Sequence, residues 1–302
     1  MSIIRRALVG LGAVGITQVA VMPETHHMAL HALEGLTHVK APLPSVEILD
    51  MAVTSQSRDS QHAAQLLRDA GAGCIIALGG DGTIRVVSKA TGDIPLLPIS
   101  TGTNNVVPTF VEGTIAGIAA GAVARRTVSL ESCAFRHKWL EILVNGQSVD
   151  RALVDVAVMR GRFLASRAVW KADDVYHVVV TRADPASIGI SAIAGMIRPI
   201  TATEPVALSV SMEPQADRRI RAAIGPGLIT NIGIAGDTEM HVGGRLDLPI
   251  TEQSLAALDG EREVSLAPGD ILSVVLHENG PWIIDAGRAM RELVASGGFT
   301  AS

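Results

Sequence analysis

The chain of 302 residues is 48% hydrophobic and 18% charged, which provides enough apolar material for two globular domains. Its 25 basic and 30 acidic side chains are well mixed and give a net charge of −5, so we expect a small-molecule substrate, with no nucleic-acid partner and no membrane association. The two cysteines, Cys74 and Cys133, form no CxxC pair, which favours a cytoplasmic protein without disulfides.

The first apolar segment covers residues 7–22 and contains GLGAVG, a formal match to the GxGxxG dinucleotide fingerprint. The fingerprint requires a helix after its last glycine, whereas the residues that follow here, ITQVAVMP, favour a strand. We therefore interpret these glycines as a close approach between an N-terminal helix and the first strand. The segment is also shorter than the ~20 residues that a membrane-spanning helix needs.

The first third of the chain alternates between strand and helix patterns, which is typical of a parallel sheet with crossover helices. We predict strands at 18–22, 46–51, 74–80 and 94–100, and helices at about 24–35, 57–71, from 82 and at 111–126. The fold class that follows is α/β, with an N-terminal nucleotide-binding domain over residues 1–126.

The remainder of the chain is dominated by strand-like runs with turn residues between them, including Asn145-Gly146 as a hairpin turn. We predict a β-rich, sandwich-like domain over 127–280. A C-terminal helix is predicted within 281–302 and is expected to pack back on the N-terminal domain.

Three glycines surround one aspartate at the end of the strand CIIALGGDGT. Gly79, Gly80 and Gly82 let main-chain amides face an anion, and Gly82-Thr83 would open the next helix with its positive end toward that anion. Asp81 would repel a bare phosphate. Its presence is explained if it accepts a proton from a hydroxyl nucleophile or holds magnesium beside phosphates. Both alternatives indicate phosphoryl transfer from ATP, although an isolated GGDG could also be a simple turn.

A second polar turn follows the next strand in the sequence PISTGTNN. Asp81 and Thr103 are separated by one strand–helix–strand unit, so we expect both turns at the carboxyl ends of neighbouring strands, in one crevice. No GxxxxGK[ST] sequence is present, which excludes a P-loop. The predicted nucleotide- and phosphate-binding residues of this second turn are Thr101, Gly102, Thr103, Asn104 and Asn105.

These two motifs, GGDGT and STGTNN, resemble those of the superfamily that contains NAD kinases, diacylglycerol kinases and sphingosine kinases. RALVDVAV (151–158) resembles the Asn-acidic motif of NAD kinases, with Asp155 matching the acid and Val154 in place of the asparagine. GISAIAGMIRP (189–199) resembles their Thr/Ser/Gly-rich segment but lacks the tyrosine expected before it. STGTNN and this segment are similar in sequence to the corresponding motifs of the acetoin catabolism protein X branch, which is ATP-NAD kinase-like.

The resemblance implies an NAD kinase-like fold, ATP and Mg²⁺ as cofactors, and a homo-oligomer, which we expect to be a dimer because such kinases often self-associate. It implies Asp81 as general base and magnesium ligand, and Asp155 as the group that orients the acceptor hydroxyl. It also implies Thr83 as a contact for the nucleotide or its phosphates, and Ser191 as a substrate residue. From its charge alone, Lys138 could steady a phosphate, or could equally be an exposed charge at a sheet edge.

We therefore predict an ATP-dependent kinase that phosphorylates a hydroxyl of a small metabolite. Val154 and the missing tyrosine remove groups that NAD kinases use on the dinucleotide, so a true NAD kinase is the second candidate. A nucleotide-binding regulatory protein without turnover is the third. The sequence leaves the acceptor open.

Overall fold

The structure is a computed structural model that describes residues 2–25, 27–36, 40–102, 104–161, 174–260 and 262–298. The chain forms two compact units, Met1–Arg136 with Pro281–Ser302, and His137–Gly280. Among the described residues, no helix is long and apolar enough to cross a membrane.

The first unit begins with alternating helices and strands. Its elements up to residue 136 are α1 (Ser2–Ala13), β1 (Gln18–Val21), α2 (Met28–Glu34), β2 (Ser45–Ile48), α3 (Ser57–Asp69), β3 (Ile75–Gly79), α4 (Asp81–Ser88), β4 (Leu96–Ser100), α5 (Gly113–Ala124), α6 (Leu130–Cys133) and β5 (Ala134–Arg136).

The second unit is mostly β-structure. Its elements are β6 (Trp139–Val144), β7 (Gln147–Ala152), β8 (Asp155–Arg160), β9 (Val175–Val180), α7 (Ile190–Gly195), β10 (Val206–Met212), β11 (Arg219–Gly225), β12 (Leu228–His241), β13 (Arg245–Pro249), β14 (Ser254–Leu258), β15 (Arg262–Leu266) and β16 (Ile271–His277). The chain then returns to the first unit as β17 (Trp282–Ile284) and α8 (Ala286–Ala295).

The sheet that carries the two glycine turns has the strand order β3-β4-β17-β5. β3, β4 and β17 are parallel, and β5 is an antiparallel edge strand. α5 and α8 pack with this sheet in one apolar core, which includes Ile99, Ala119 and Leu293. The predicted parallel N-terminal sheet is therefore confirmed, and β1 and β2 form a separate two-stranded parallel sheet.

The glycines of GLGAVG lie in α1 and in the turn that ends it. A Cβ atom at Gly10 would lie 2.2 Å from the carbonyl oxygen of Thr114, and one at Gly117 would lie 2.1 Å from the carbonyl oxygen of Ala7. α1 and α5 can therefore approach closely only because these positions lack side chains. Gly15 follows with a φ of 77°, so the segment forms a helix contact and a turn before β1.

The second unit contains a seven-stranded sheet, in the order β11-β12-β10-β9-β8-β14-β15, and a four-stranded sheet, in the order β13-β16-β6-β7. Apolar side chains from both sheets, such as Ile142, Val158 and Leu272, share one core. α7 belongs to a second core with the other face of the large sheet, through Ile193 and Ala194. The predicted β-rich, sandwich-like part is confirmed, including the Asn145-Gly146 turn between β6 and β7.

Candidate functional site

The two glycine turns lie side by side at the carboxyl ends of β3 and β4. Gly79 pairs in register with Ser100 at the ends of these parallel strands. Gly80 is the N-cap of α4, and the buried Gly82 lies in the first turn of that helix. The chain therefore presents a helix N-terminus at the edge of a parallel sheet, where main-chain amides and the helix dipole favour an anion.

Residue 79 has to be a glycine because the side chain of Thr83 lies over it and leaves no space for a Cβ atom. A Cβ atom at residue 79 would be 2.6 Å from Cβ and 2.7 Å from Oγ1 of Thr83. Real Cβ contacts are not this short, so any larger residue would displace Thr83 or the strand end. The GGDGT sequence thus allows the first turn of α4 to fold tightly against β3.

Asp81 ties the first turn to the segment that follows the second turn. The main-chain amide of Val106 donates to its carboxylate oxygens Oδ2 and Oδ1 at 2.9 and 3.2 Å, and the amide of Val107 donates to Oδ1 at 2.8 Å. Charge-assisted hydrogen bonds of this type are stronger than neutral ones. Asp81 therefore acts as a clamp in this structure, a role that the sequence did not suggest.

Ser100 organises the second turn from inside. Its buried hydroxyl donates to the carbonyl oxygen of Gly102 at 2.8 Å and accepts a 2.8 Å hydrogen bond from the side-chain nitrogen Nδ2 of Asn105. Thr101, Gly102 and Asn104 are exposed to solvent, whereas Thr103 lies outside the described residues. Sequence analysis missed Ser100; its signal is a serine that ends a fully buried strand just before a glycine turn.

Among the described residues of the two turns, Asp81 is the carboxylate that could bind magnesium. The described part of the chain contains no group of three or more His, Cys, Asp or Glu side chains that could hold a metal ion. The carboxylate of Asp81 supplies oxygen atoms, the donor type that Mg²⁺ prefers. This fits the way in which Mg²⁺ binds in ATP enzymes, with one or two carboxylates and the phosphates of the nucleotide.

Asp155, in the second unit, is the buried first residue of β8 and pairs in register with Val180. A second aspartate, Asp259, binds the main chain directly before this strand. Its carboxylate accepts hydrogen bonds from the amides of Leu153, Val154 and Asp155. Sequence analysis missed Asp259, although it stands in an Asp-Gly pair like that of GGDG.

Ser191 lies in α7 with only 2% of its surface exposed, and its hydroxyl is 3.2 Å from that of Ser187. The end of α7 packs closely on the preceding loop, because a Cβ atom at Gly195 would lie 2.6 Å from the carbonyl carbon of Asp184. The structure thus places Ser191 within the packing of the second unit.

Lys138 is buried, with 3% of its surface exposed, so the interpretation as an exposed edge charge is wrong. Its ammonium group donates to the carbonyl oxygens of Val206 and Thr201 at 2.7 and 3.2 Å. Burial lowers the pKa of Lys138 to about 8. These contacts favour an anchoring role in the second unit, and the predicted contact with phosphate stays a prediction.

Comparison with known proteins assigns the family. The chain is 35% identical over 300 residues to acetoin catabolism protein X of Cupriavidus necator, an alignment that covers 96% of this chain and 83% of the relative. The chain belongs to the acetoin catabolism protein X family. Residues 138–279 match the model of the acetoin catabolism protein X C-terminal domain, and residues 8–127 match that of the ATP-NAD kinase N-terminal domain.

A solved structure shows the fold that this member of the acetoin catabolism protein X family adopts. Yeast NADH kinase, crystallised with NADH, superposes with a TM-score of 0.53 at 14% identity, covering 99% of this chain and 85% of the yeast chain. An NAD kinase from Archaeoglobus fulgidus in complex with ATP has a TM-score of 0.43 at 15% identity, covering 94% of this chain and 100% of the archaeal one. The similarity to the yeast enzyme shows that the fold is NAD kinase-like.

Proposed function

We propose that the protein is an ATP-dependent kinase that transfers the γ-phosphoryl group to a hydroxyl of a small metabolite. The observation that carries the proposal is the clamp from Asp81 to the amides of Val106 and Val107, which joins two glycine turns at the ends of neighbouring parallel strands. A site with main-chain amides, neutral polar side chains and one carboxylate suits a polyphosphate and its metal ion.

In the proposed reaction, the oxygen of the acceptor hydroxyl attacks the γ-phosphorus of ATP and its proton passes to the carboxylate of Asp81. The bond between the γ-phosphorus and its bridging oxygen breaks, and ADP leaves with the electron pair. The orientation of the acceptor is assigned to Asp155 because RALVDVAV resembles the Asn-acidic motif of NAD kinases. Phosphoryl transfer depends mostly on such positioning and on neutralisation of charge. Magnesium, held by Asp81 and the nucleotide, would supply that neutralisation when bound.

Exposed residues of the second turn are proposed to contact the nucleotide through their amides and side chains. Thr101, Gly102 and Asn104 are accessible. Asn105 is half-buried and bound to Ser100, so we assign it to shaping the turn. Thr83, which packs on Gly79, is assigned the same supporting role for the first turn.

A second candidate acceptor is NAD, because the yeast protein with the same fold is an NADH kinase. We favour a smaller acceptor, since Val154 stands where NAD kinases are expected to have an asparagine and the tyrosine before Ser191 is missing. The protein is further proposed to work as a cytoplasmic homodimer. Light scattering tests the dimer, and a monomeric mass would overturn it.

The proposed activity is tested by ADP release from ATP with and without magnesium, against NAD and a panel of small hydroxyketones, polyols and sugar acids. We expect release that depends on a small acceptor, with mass spectrometry showing one added phosphoryl group on that acceptor. Phosphorylation of NAD alone would make the protein a true NAD kinase. ATP binding without transfer to any acceptor would favour the regulatory alternative and overturn the proposal.

A further inference from the structure

The carboxylate of Asp259 binds three consecutive main-chain amides at the start of β8. The amide of Leu153 lies 2.9 Å from Oδ2 and 3.1 Å from Oδ1, and the amides of Val154 and Asp155 lie 2.8 and 3.2 Å from Oδ1. The main-chain amide of Asp259 in turn donates to the carbonyl oxygen of Asp155 at 3.1 Å. The side chain of Asp259 thus fixes the main chain of Asp155 and of the two residues before it.

Asp259 adopts a conformation that is unusual for a residue other than glycine. Its φ is 49°, in the left-handed region that aspartate enters more easily than most side chains. It is also buried, with 6% of its surface exposed, and a buried carboxylate is costly unless it is well hydrogen-bonded. Strain and burial at one position indicate that the contact with the three amides is specific.

The same segment is held by Thr181, which follows β9. The hydroxyl of Thr181 donates to the carbonyl oxygen of Leu153 at 2.5 Å, and its main-chain amide donates to the carbonyl oxygen of Val154 at 2.8 Å. Amides of residues 153–155 are thus bound by Asp259 while carbonyls of residues 153 and 154 are bound by Thr181. Amide and carbonyl groups of this short segment are therefore both held by hydrogen bonds at the start of β8.

We propose that Asp259 is a positioning residue for Asp155. The inference rests on the proposed role of Asp155 in phosphoryl transfer. Asp259 sets the main-chain position from which the carboxylate of Asp155 extends, and its loss lets that carboxylate shift. Because misplacement by about 1 Å can lower a rate about 10²-fold, such a residue acts on turnover without contacting the substrate.

A matched pair of substitutions separates positioning from general structural support. Asp270 is also an aspartate in the second unit that binds main chain: it accepts from the amide of Ala267 at 2.7 Å, next to the Asn145 hairpin. We expect Asp259→Ala to lower kcat about 10–100-fold with little change in KM for ATP, and Asp270→Ala to leave kcat within about twofold. Asp259→Asn, which keeps one acceptor oxygen, should lose less than Asp259→Ala.

A double-mutant cycle with Asp155→Asn distinguishes a positioning role of Asp259 from general structural support, because only the former makes the two effects non-additive. If Asp259 acts through Asp155, then Asp259→Ala should cost little further activity in a chain that already carries Asp155→Asn. Hydrogen exchange should show faster exchange at the amides of residues 153–155 in Asp259→Ala but not in Asp270→Ala.

The proposal is overturned if Asp259→Ala and Asp270→Ala have the same kcat, or if the effects of Asp259→Ala and Asp155→Asn multiply. Either result leaves the proposed kinase activity intact, because the unaltered protein would still transfer phosphoryl groups. Absence of transfer by the unaltered protein would overturn both proposals, and it is recognised before any substitution is made.

Discussion

Asp81 and Val107 are joined across 26 positions of the chain by a 2.8 Å hydrogen bond from the main-chain amide of Val107 to the Asp81 carboxylate. The bond links the start of α4 to the residues after STGTNN. In the second unit, Asp259 binds the amides of residues 153–155 in a similar way. In both units, a carboxylate followed by glycine binds a distant segment that contains or directly follows predicted site residues.

Asp81→Asn is expected to lower kcat by about 10²–10⁴-fold, the usual range for the loss of an acid–base group. The amide nitrogen of asparagine also cannot accept from Val106 or Val107, so the clamp would weaken. Steady-state ADP release measures the effect. Asp69→Asn is the control, because Asp69 is an exposed residue that pairs with its neighbour Arg68. Equal kcat values for the two variants would contradict the role of Asp81.

Gly79→Ala is expected to destabilise the protein by about 1–3 kcal/mol, the cost of overpacking, and to weaken ATP binding. The reason is the 2.6 Å distance that the new Cβ would have to Cβ of Thr83. Thermal unfolding and calorimetric titration with ATP measure both effects. Gly236→Ala is the control, since a Cβ there meets no atom within 4 Å. A Gly79→Ala protein as stable as the control would show that Thr83 does not pack there.

Ser100→Ala is expected to raise the Kd for ATP about tenfold, a loss of ~1.4 kcal/mol. The substitution removes the donor to Gly102 and the acceptor for Asn105, so the second turn loses its internal hydrogen bonds. In the control, Ser132→Ala, the lost hydroxyl donates to Ser129 on an exposed turn. If both variants bind ATP like the unaltered protein, the second turn is not part of the nucleotide site.

His177 should make the protein sensitive to acid. Burial lowers the pKa of His177 from 6.5 to about 4, and its ring nitrogens contact the hydroxyls of Ser209 and Ser211 at 2.9 and 3.2 Å. Between pH 6.5 and 4 the unfolded chain therefore binds more protons than the folded one, so stability falls as the pH falls through this range. Above pH 6.5 this contribution is constant.

His177→Gln tests this pH dependence, because glutamine can keep hydrogen bonds but does not titrate. We expect it to reduce the difference in unfolding free energy between pH 7.5 and pH 5 by about 2 kcal/mol. Burial also lowers the pKa of His137 to about 4, so a smaller acid sensitivity should remain in the variant. An unchanged difference between the two pH values would contradict the burial of a neutral His177.

Local patterns in the sequence were sufficient for much of the fold. The β3–α4–β4 unit places its two strands side by side because a crossover helix joins parallel neighbours. Asn145-Gly146 forms the predicted hairpin because both residues accept positive φ. Helix ends were less precise: the helix predicted over 57–71 begins at Ser57 but ends at Asp69.

Contacts between distant residues were not predictable in this way. The amide partners of Asp81 lie 25 and 26 positions away, and the carbonyl partners of Lys138 lie 63 and 68 positions away. A strand pattern around Lys138 indicates an edge, and only the folded chain shows that its ammonium group is buried. The change to β-rich sequence at residue 127 likewise did not reveal that α6 and β5 belong with the first unit.

The measurement that tests the account most directly is a titration of the protein with ATP and magnesium, followed through its main-chain amide NMR signals. The two glycine turns are predicted to respond together, with signals of Gly79–Thr83 and of Gly102, Asn104 and Asn105 shifting over the same ATP concentrations. In Asp81→Asn the two groups of signals should separate or lose their response. Binding of ATP that leaves both turns unshifted would contradict the central claim that they form one phosphate site.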